Sequence, residues 1–248
     1  MIGNKETDLN LFEFQAQFST EKDCLEYLSA LKWEAGFECK KCKHTHYCKG
    51  IKELDRQCTK CNYLESPTSG TLFHRVKFPL LKAFYIVYFM STNKKGITST
   101  ELSRKLDLKQ KVCWLFKRKV MKAMESSGNF LLEGVVEVDE TFVGGSDENS
   151  KGRKKGTKKL VVVAIEKKNK GVSRFYAKVI DKANAENLGT FMRENIRKEA
   201  HIKTDEWTGY KPLDEEFENM THIKSGKKGE NFPEIHRVIM NFKGWLRG

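Results

Sequence analysis

The segment from Gly134 to Gly145, GVVEVDETFVGG, decides how the second half of the chain folds. Its alternation of apolar and polar positions, with four valines, predicts a β-strand. Asp139 and Glu140 lie in the middle of that strand. An ionised carboxylate is costly to bury unless it is paired, neutralised or bound to a metal. The strand therefore predicts a specific partner for its acidic residues.

Strands and helices alternate after this segment, which predicts a mixed α/β sheet with helices packed on its faces. The last segment reads as a helix, because Pro233 suits a first turn and an apolar stripe follows at helical spacing. The stripe consists of Ile235, Val238, Ile239 and Phe242. The other predicted elements are the strands LVVVAIEKK, VSRFYAKVI and HIKTDEW and the helix NAENLGTFMRENIRKEA.

A second carboxylate, Asp205, ends the strand in HIKTDEW. Adjacent parallel strands would place Asp139 and Asp205 side by side, where they repel each other unless a divalent cation neutralises them. Two-metal sites of this kind recur in phosphodiester cleavage. The pair therefore predicts a site for Mg²⁺ or Mn²⁺. The alternative is that both residues cap turns or pair with nearby lysines.

A third ligand is expected on the last helix. Asn241 follows Asp205 with 35 residues between them, and its amide offers a neutral oxygen. Glu234 precedes Asn241 by seven residues, which is two turns along the same helix face. Both remain candidates. Glu140 and Glu206 each follow an aspartate, so they point to the opposite face of their strands and lie outside the predicted ligand set.

The charge of the chain favours a polyanionic partner. Lys and Arg outnumber Asp and Glu by 46 to 33 in 248 residues, giving a net charge of +13. Such a surplus favours nucleic acid over a membrane surface. The longest apolar run, residues 83–90, is too short to span a bilayer. We therefore expect a soluble intracellular protein with no membrane partner.

The cysteines predict a structural metal. Cys39 and Cys42 form one CxxC pair, Cys58 and Cys61 form another, and fifteen residues separate the two pairs. This spacing is typical of a four-cysteine Zn²⁺ site, in which each tight turn supplies two thiolates. Two disulfides or four free thiols are the alternative, although an odd total of seven cysteines does not suit a disulfide framework.

Residues 77–128 predict three helices, with a short connection DLKQ between the second and the third. Thr98 followed by Glu101 predicts a capping box at the start of the second helix. The third helix carries Lys111, Arg118 and Lys122 on one face, which suits docking in a DNA major groove. A solvated charged face on a three-helix bundle is the alternative. The expected apolar stripe of this helix is Val112, Leu115, Phe116, Val120 and Ala123.

Taken together, these motifs resemble the zinc-ribbon DDE transposases of bacterial insertion sequences. The residues that carry the resemblance are the two CxxC pairs, SGTLFH, KKGITSTELSRKL, EVDETFVGG, TDEW and the Asn or Glu that follows. It covers residues 25–248. The resemblance implies a ribonuclease H-like catalytic domain that cuts DNA at the ends of its element and joins them to target DNA. It also implies that Asp139, Asp205 and Asn241 hold the catalytic metal, with Asn241 where many relatives have Glu.

The resulting organisation is a helical lead-in (1–34), a zinc ribbon (35–76), a helix-turn-helix region (77–128) and the catalytic domain (129–248). We expect the last domain to be truncated, because such transposases run on beyond GWLRG. The expected setting is the bacterial cytoplasm, with the protein associated with the nucleoid and forming a homo-oligomer on double-stranded DNA. The expected phosphate contacts lie in the basic segment KGRKKGTKK, with Lys151, Arg153, Lys154, Lys155, Lys158 and Lys159.

The main alternative function is a non-catalytic DNA-binding regulator derived from a decayed transposase. A structural RNA-binding zinc protein is disfavoured, because a carboxylate pair would repel a phosphate backbone unless metals intervened.

Overall fold

The computed structural model describes residues 9–125, 129–145, 158–169, 171–226 and 229–247. The chain divides into two compact units, with the boundary after Met124. Among the described residues, no helix is both long and apolar enough to cross a membrane.

The first unit contains five helices and a small antiparallel sheet of three strands. The elements are α1 (Leu11–Gln17), α2 (Glu21–Lys32), β1 (Tyr47–Lys49), β2 (Arg56–Cys58), β3 (Leu64–Glu65), α3 (Leu80–Thr92), α4 (Ser99–Leu106) and α5 (Gln110–Ala123). Capping boxes at Asn10 and Thr20 start α1 and α2, because each cap side chain satisfies a backbone N–H that the first helical turn leaves without a partner.

The three helices α3, α4 and α5 share one apolar core. Thr98 caps α4 by accepting the backbone N–H of Glu101. The predicted capping box is only half formed, because the Glu101 carboxylate pairs with Lys105 Nζ at 3.5 Å. Asp107 ends α4 in the left-handed conformation, and the next helix begins three residues later. The core residues that α5 contributes are Cys113, Phe116 and Val120.

The predicted apolar stripe of α5 is wrong at two positions. Leu115 is 54% exposed, and Ala123 is also exposed. Cys113, which is not part of the predicted stripe, lies on the buried face. The buried face is therefore turned around the helix axis by less than the angle that separates two consecutive residues, about 100°. This difference leaves Leu115 on the same exposed face as the basic residues.

The second unit is built on a five-stranded mixed sheet with the order β6-β5-β4-β7-β8. Its elements are β4 (Val135–Val143), β5 (Lys159–Lys168), β6 (Gly171–Ile180), α6 (Ala185–Asn195), β7 (His201–Thr204), a 3-10 turn (Lys211–Leu213), β8 (Asn219–His222) and α7 (Pro233–Arg247). The first three strands run antiparallel, and β4, β7 and β8 are parallel. The predicted mixed α/β sheet is confirmed, and the arrangement is consistent with a ribonuclease H-like fold.

Each face of this sheet has its own core. On one face, Val136, Val138 and Val162 pack with Leu188 and Phe191 of α6. On the other, alternate residues of β5 pack against α7. The residues of α7 in this second core are the predicted stripe, Ile235, Val238, Ile239 and Phe242. Because β5 is covered on both sides, its sequence is almost continuously apolar.

Two elements differ from the sequence expectation. The helix predicted over residues 184–200 ends at Asn195, and Ile196 adopts an extended conformation that pairs with Leu132. The strand β8 was not predicted, because NMTH is short and has no apolar alternation. β8 forms since its backbone completes the parallel ladder beside β7, where tertiary context outweighs local preference.

Candidate active site and metal centres

Asp139 and Asp205 lie on neighbouring parallel strands. β4 pairs with β7 so that Glu137 is opposite Lys203. Two residues further along the chain from this pair are Asp139, inside β4, and Asp205, directly after the end of β7. The charge of Asp205 acts on the Asp139 carboxyl group. The structure thus brings the two carboxylates together beside the carboxyl end of β7.

This environment disfavours a bare negative charge on Asp139. Its pKa is raised, mainly because burial removes the carboxylate from water, and Asp205 raises it further by repulsion. The backbone N–H of Glu140 and the side chains of His236 and Lys243 act in the opposite direction. A divalent cation would cancel the repulsion, and carboxylate oxygens are ligands that Mg²⁺ and Mn²⁺ prefer. The pair therefore fits such an ion.

Glu140 points to the other face of β4, as the alternation of a strand requires. Burial raises the pKa of its carboxyl group to about 7; the nearby Tyr210 hydroxyl lowers it, and the charges of Asp139 and Asp205 raise it. Tyr210 is completely buried. Neither Glu140 Oε1 nor the Tyr210 hydroxyl completes a well-aligned hydrogen bond. Three carboxyl groups thus influence one another across this part of the sheet.

Helix α7 is fixed to β4 by a buried carboxylate, Glu137. Its Oε2 accepts the backbone N–H of Ile235 at 3.3 Å in the first turn of α7. Its Oε1 lies 3.0 Å from Lys167 Nζ, which also reaches Glu234 Oε2 at 3.2 Å. The lysine keeps the buried carboxylate paired, which an acidic group at that depth requires. Glu234 is therefore engaged with Lys167.

The residue of α7 that contacts Asp139 is His236. Its Nε2 lies 3.5 Å from Asp139 Oδ2. Gly229 packs against the imidazole ring so closely that an added Cβ would lie 2.4 Å from Cε1. Its φ of +75° also favours glycine. Both constraints hold the ring in place beside Asp139.

The two flanks of α7 carry different residues. His236 and Lys243, seven residues apart, share the flank that acts on Asp139. Glu234 and Asn241, also seven apart, share another flank. At about 100° per residue, Asn241 lies about 140° around the helix axis from His236. Asn241 is half-buried at that position.

The four cysteines form the most complete ligand set. Within the part of the chain that the structure describes, they are the one group of three or more Cys, His, Asp or Glu whose ligand atoms all lie within 4.8 Å of one another. The sulfurs of Cys39 and Cys61 are 3.5 Å apart, as are those of Cys42 and Cys58. A disulfide would need about 2.05 Å. Four sulfurs around Zn²⁺ at about 2.3 Å would be about 3.8 Å apart.

The two CxxC turns have the same backbone pattern. The N–H of Lys43 donates to Cys39 O at 2.8 Å, and the N–H of Asn62 donates to Cys58 O at 3.0 Å. Lys43 and Asn62 both have positive φ, which lets each turn close after its second cysteine. Four free thiols in two matching turns fit a zinc ion. The other possible ligands bond elsewhere: His44 contacts the Thr59 hydroxyl, and Cys48 contacts the carbonyl oxygen of Gln57.

The Cys58 thiol ionises more readily than an ordinary cysteine, because its pKa is lowered. Burial raises its pKa, but backbone N–H groups of Cys61 and Lys60 and the Cys42 thiol hydrogen-bond to its sulfur, so that the pKa falls to about 7. Zinc binds thiolates rather than thiols. The pKa of Cys61 moves in the opposite direction: the backbone of Tyr63 lowers it, but burial and hydrogen bonds with the other three thiols raise it to about 12. Cys58 is therefore the thiol that ionises first, and metal binding would displace the proton of Cys61.

A comparison with models of protein families gives a match in the second unit. Residues 131–248 match the family model described as the ISXO2-like transposase domain. This segment is therefore similar to transposases of that family. A search among curated proteins gives no sequence match to the chain. The transposase domain includes Asp139, Asp205 and all of the helix that carries Asn241.

The predicted DNA-contacting residues that lie outside the transposase domain are on α5. Lys111, Arg118 and Lys122 are exposed on one face, together with Trp114 and Leu115. The Arg118 guanidinium lies over the Trp114 ring, 5.6 Å from its centroid. The result is a mixed basic and apolar surface.

Most of the basic segment within the transposase domain lies outside the described residues, including Lys151, Arg153, Lys154 and Lys155. Lys158 and Lys159 are described at the start of β5.

Sequence reasoning missed Glu137 and His236. The spacing of Glu137 and Asp139 by two residues already placed them on one face of β4. His236 gave no such signal, because its role depends on which flank of α7 faces β4, and sequence periodicity identifies the buried stripe but not its flanks.

The four-cysteine cluster should hold one zinc ion. We expect about one zinc per chain by atomic emission after purification. Replacing Cys39 and Cys58 together with serine should abolish zinc binding and lower the thermal stability of the first unit, since metal binding supplies its local folding energy. Cys24→Ser and Cys48→Ser are the controls. A double variant that keeps its zinc would contradict this assignment.

The raised pKa of Glu140 should make metal-free stability depend on pH. The folded protein favours the protonated carboxyl group, so this contribution is complete below the unfolded pKa near 4.5 and is lost as pH rises through about 7. One pKa unit corresponds to about 1.4 kcal/mol. Glu140→Gln should therefore flatten the decline of Tm between pH 5 and 8, measured calorimetrically with EDTA-treated protein. An unchanged pH profile would contradict the buried location of this carboxyl group.

Proposed function

We propose that this protein is a DNA transposase that cleaves DNA at the ends of its own element and joins the 3′ ends to target DNA. The observation that carries the proposal is the carboxylate pair Asp139 and Asp205 on neighbouring parallel strands of an ISXO2-like transposase domain. Mutual repulsion and burial leave this pair in need of a cation. A purely DNA-binding regulator would have no use for such a pair.

Asp139 and Asp205 would hold divalent cations, Mg²⁺ or Mn²⁺. Such ions supply activation of an attacking oxygen and stabilisation of a leaving oxygen in phosphodiester chemistry. Mg²⁺ is commonly held by one or two protein carboxylates, with water and substrate phosphates as further ligands. Two carboxylates therefore suffice for a site that is completed on DNA.

The proposed reaction has two in-line displacements at the same site. Water attacks the phosphodiester at the element's end, so that a phosphorus–oxygen bond forms and the bond to the 3′ oxygen breaks. The released 3′-hydroxyl then attacks a phosphodiester of target DNA, so that a new phosphorus–oxygen bond joins the element to the target and the target's own bond from phosphorus to its 3′ oxygen breaks, which leaves a 3′-hydroxyl on the target strand. No covalent enzyme intermediate is needed. Because two element ends must be joined, we expect a homo-oligomer on DNA.

Asn241 is proposed as the third ligand in preference to Glu234. The Glu234 carboxylate is engaged by Lys167, and its pKa is lowered through that hydrogen bond although burial alone would raise it. Asn241 is half-buried two turns further along the same flank of α7. His236, on the other flank, is a competing contact for Asp139.

The first unit is proposed to recognise the element's ends. The exposed face of α5 offers cations for phosphates and guanines, and Trp114 and Leu115 offer apolar contact to thymine methyl groups in the major groove. The zinc-binding cysteine region and the basic segment 151–159 would add contacts that position the DNA without reading its sequence.

Asp139→Asn should abolish Mn²⁺-dependent cleavage of duplex DNA taken from the flanks of the coding region, because a neutral amide binds divalent cations much more weakly than a carboxylate. Asp205→Asn should behave in the same way, while DNA binding by gel shift is retained. Glu199→Gln, which removes the same charge at an exposed position, is the matched control. Full cleavage by Asp139→Asn would leave the DNA-binding regulator as the better assignment.

The same assay separates the candidates on α7. Asn241→Ala should reduce cleavage by at least tenfold, whereas Glu234→Ala should alter mainly stability, through Lys167 and Glu137. The reverse order would transfer the third position to Glu234. If His236→Ala loses cleavage while Asn241→Ala keeps full activity, the third metal ligand would lie on the flank of α7 that faces Asp139.

The α5 face should read sequence, and the basic segment should not. Arg118→Ala or Lys122→Ala should weaken binding to flanking-repeat DNA more than to random DNA, by about tenfold for a lost base contact. Neutralising Lys151, Arg153, Lys154 and Lys155 together should weaken binding to both DNAs and reduce the salt dependence by about 0.9 per lost phosphate contact. Lys22→Ala on α2 is a control. Equal losses on both DNAs for Arg118→Ala would exclude α5 as the reader.

A further inference from the structure

A chain of side-chain hydrogen bonds leads to the backbone of Asp205. His222 ends β8 directly opposite Thr204, the last residue of β7. His222 Nδ1 lies 2.7 Å from Thr204 Oγ1, and His222 Nε2 lies 2.8 Å from Asp214 Oδ1. The Thr204 hydroxyl donates to the carbonyl oxygen of Asp205 at 2.9 Å. The chain therefore runs from Asp214 through His222 and Thr204 to Asp205.

Counting protons shows that these contacts depend on one another. The Thr204 hydroxyl has a single proton, which it gives to the Asp205 carbonyl, so Nδ1 of His222 must donate to the hydroxyl oxygen. An ionised Asp214 only accepts, so Nε2 must donate as well. All three bonds are made together when Nδ1 donates to Thr204 and Nε2 donates to Asp214. Removing Asp214 or His222 leaves the Thr204 hydroxyl free to turn away.

The position of Asp205 explains why such a chain is useful. β7 ends at Thr204, so Asp205 lies just beyond the strand. Its carboxylate Oδ1 accepts the backbone N–H of Trp207 at 3.0 Å, and the Trp207 indole donates to Ala183 O at 2.7 Å. The carboxylate is thus held on one side through Trp207. The Thr204 hydroxyl, which is completely buried, holds the peptide of the same residue on the other side.

We propose that Asp214 and His222, acting through the Thr204 hydroxyl, are positioning residues that preorganise Asp205 for divalent-metal binding. This inference rests on the proposed function of Asp205. Residues that orient a metal ligand without touching the ion commonly change metal affinity by 10- to 100-fold. None of the three side chains was among the residues that the sequence indicated, because they come together only through β8 and the turn before it.

Thr204→Val and Thr204→Ser test the proposal. Valine has nearly the same shape but no hydroxyl, whereas serine keeps it. Mn²⁺ affinity of the DNA-free, zinc-loaded chain can be measured by electron paramagnetic resonance of free Mn²⁺, which does not depend on activity. We expect Thr204→Val to weaken Mn²⁺ binding about tenfold or more and Thr204→Ser to retain it. Equal affinity of the valine, serine and parent proteins would overturn the proposal.

His222→Gln and Asp214→Asn should weaken Mn²⁺ binding in the same direction. Since both act through Thr204, the double variant Thr204→Val/His222→Gln should lose no more affinity than Thr204→Val alone. Additive losses would show that His222 acts by another route and would overturn the chain. Glu216→Gln, which breaks the ion pair with Arg193 in the same unit, is the control and should leave affinity unchanged.

Two further measurements separate this proposal from its alternatives. The Tm of metal-free Thr204→Val should stay within about 3 °C of the parent; a larger fall would mean that the hydroxyl serves the fold, and would overturn the positioning role. If Asp205→Asn weakens Mn²⁺ binding while Thr204→Val does not, the metal site stands and the positioning proposal fails. If Asp205→Asn changes nothing, the metal site fails as well.

Discussion

Asp139 and Asp205 repel each other at the C-terminal end of β7, and the second unit is arranged around this repulsion. Asp139 lies within a strand that is covered on both faces, and Asp205 lies on the neighbouring strand. Burial and like charge both raise the pKa of Asp139. The surrounding groups reduce this cost without removing it: a histidine and a lysine from α7 act on Asp139, and a backbone N–H binds its carboxylate. A buried charge whose energetic cost is only partly offset by its neighbours is typical of functional sites rather than of structural cores.

The mechanical support for this site comes from Glu137. This buried carboxylate binds the first turn of α7 and is paired with Lys167. Replacing it with an apolar residue would leave the N–H of Ile235 without its acceptor and Lys167 with Glu234 as its remaining partner, so the attachment of α7 to β4 would be weakened. The acidic character of β4 therefore has two origins. One acidic residue attaches a helix, and the other lies beside the candidate metal position.

The sequence predicted the parts of the structure that depend on local pattern. The strand of Asp139, the apolar stripe of α7 and the pairing of the four cysteines all follow from spacing, and the structure has them. It did not predict β8, because that strand forms only when β7 is already present. It also placed Leu115 in the core of α5, since a stripe of five apolar residues does not fix which side of the helix faces the core. His236 and His222 were missed for a common reason: each acts on a residue far away in sequence, and no periodicity reports such contacts. The metal-ligand roles of Asp139, Asp205 and Asn241 stay predictions.

The parallel register between β4 and β7 also determines which misfolded forms of the sheet are possible. Aspartate is followed by glutamate within β4, at Asp139 and Glu140, and again directly after β7, at Asp205 and Glu206. A slip of β4 by one residue would exchange Asp139 for Glu140 on the face of α7, keeping a carboxylate there but with a side chain one methylene longer. Misfolded molecules of this kind would have the same charge and a misplaced carboxylate, and they would also put Glu137 and Asp139 into the apolar core that Val136 and Val138 occupy. The attachment of Glu137 to Ile235 excludes them, because in the slipped strand Val138 would face the helix N-terminus and could not accept its N–H.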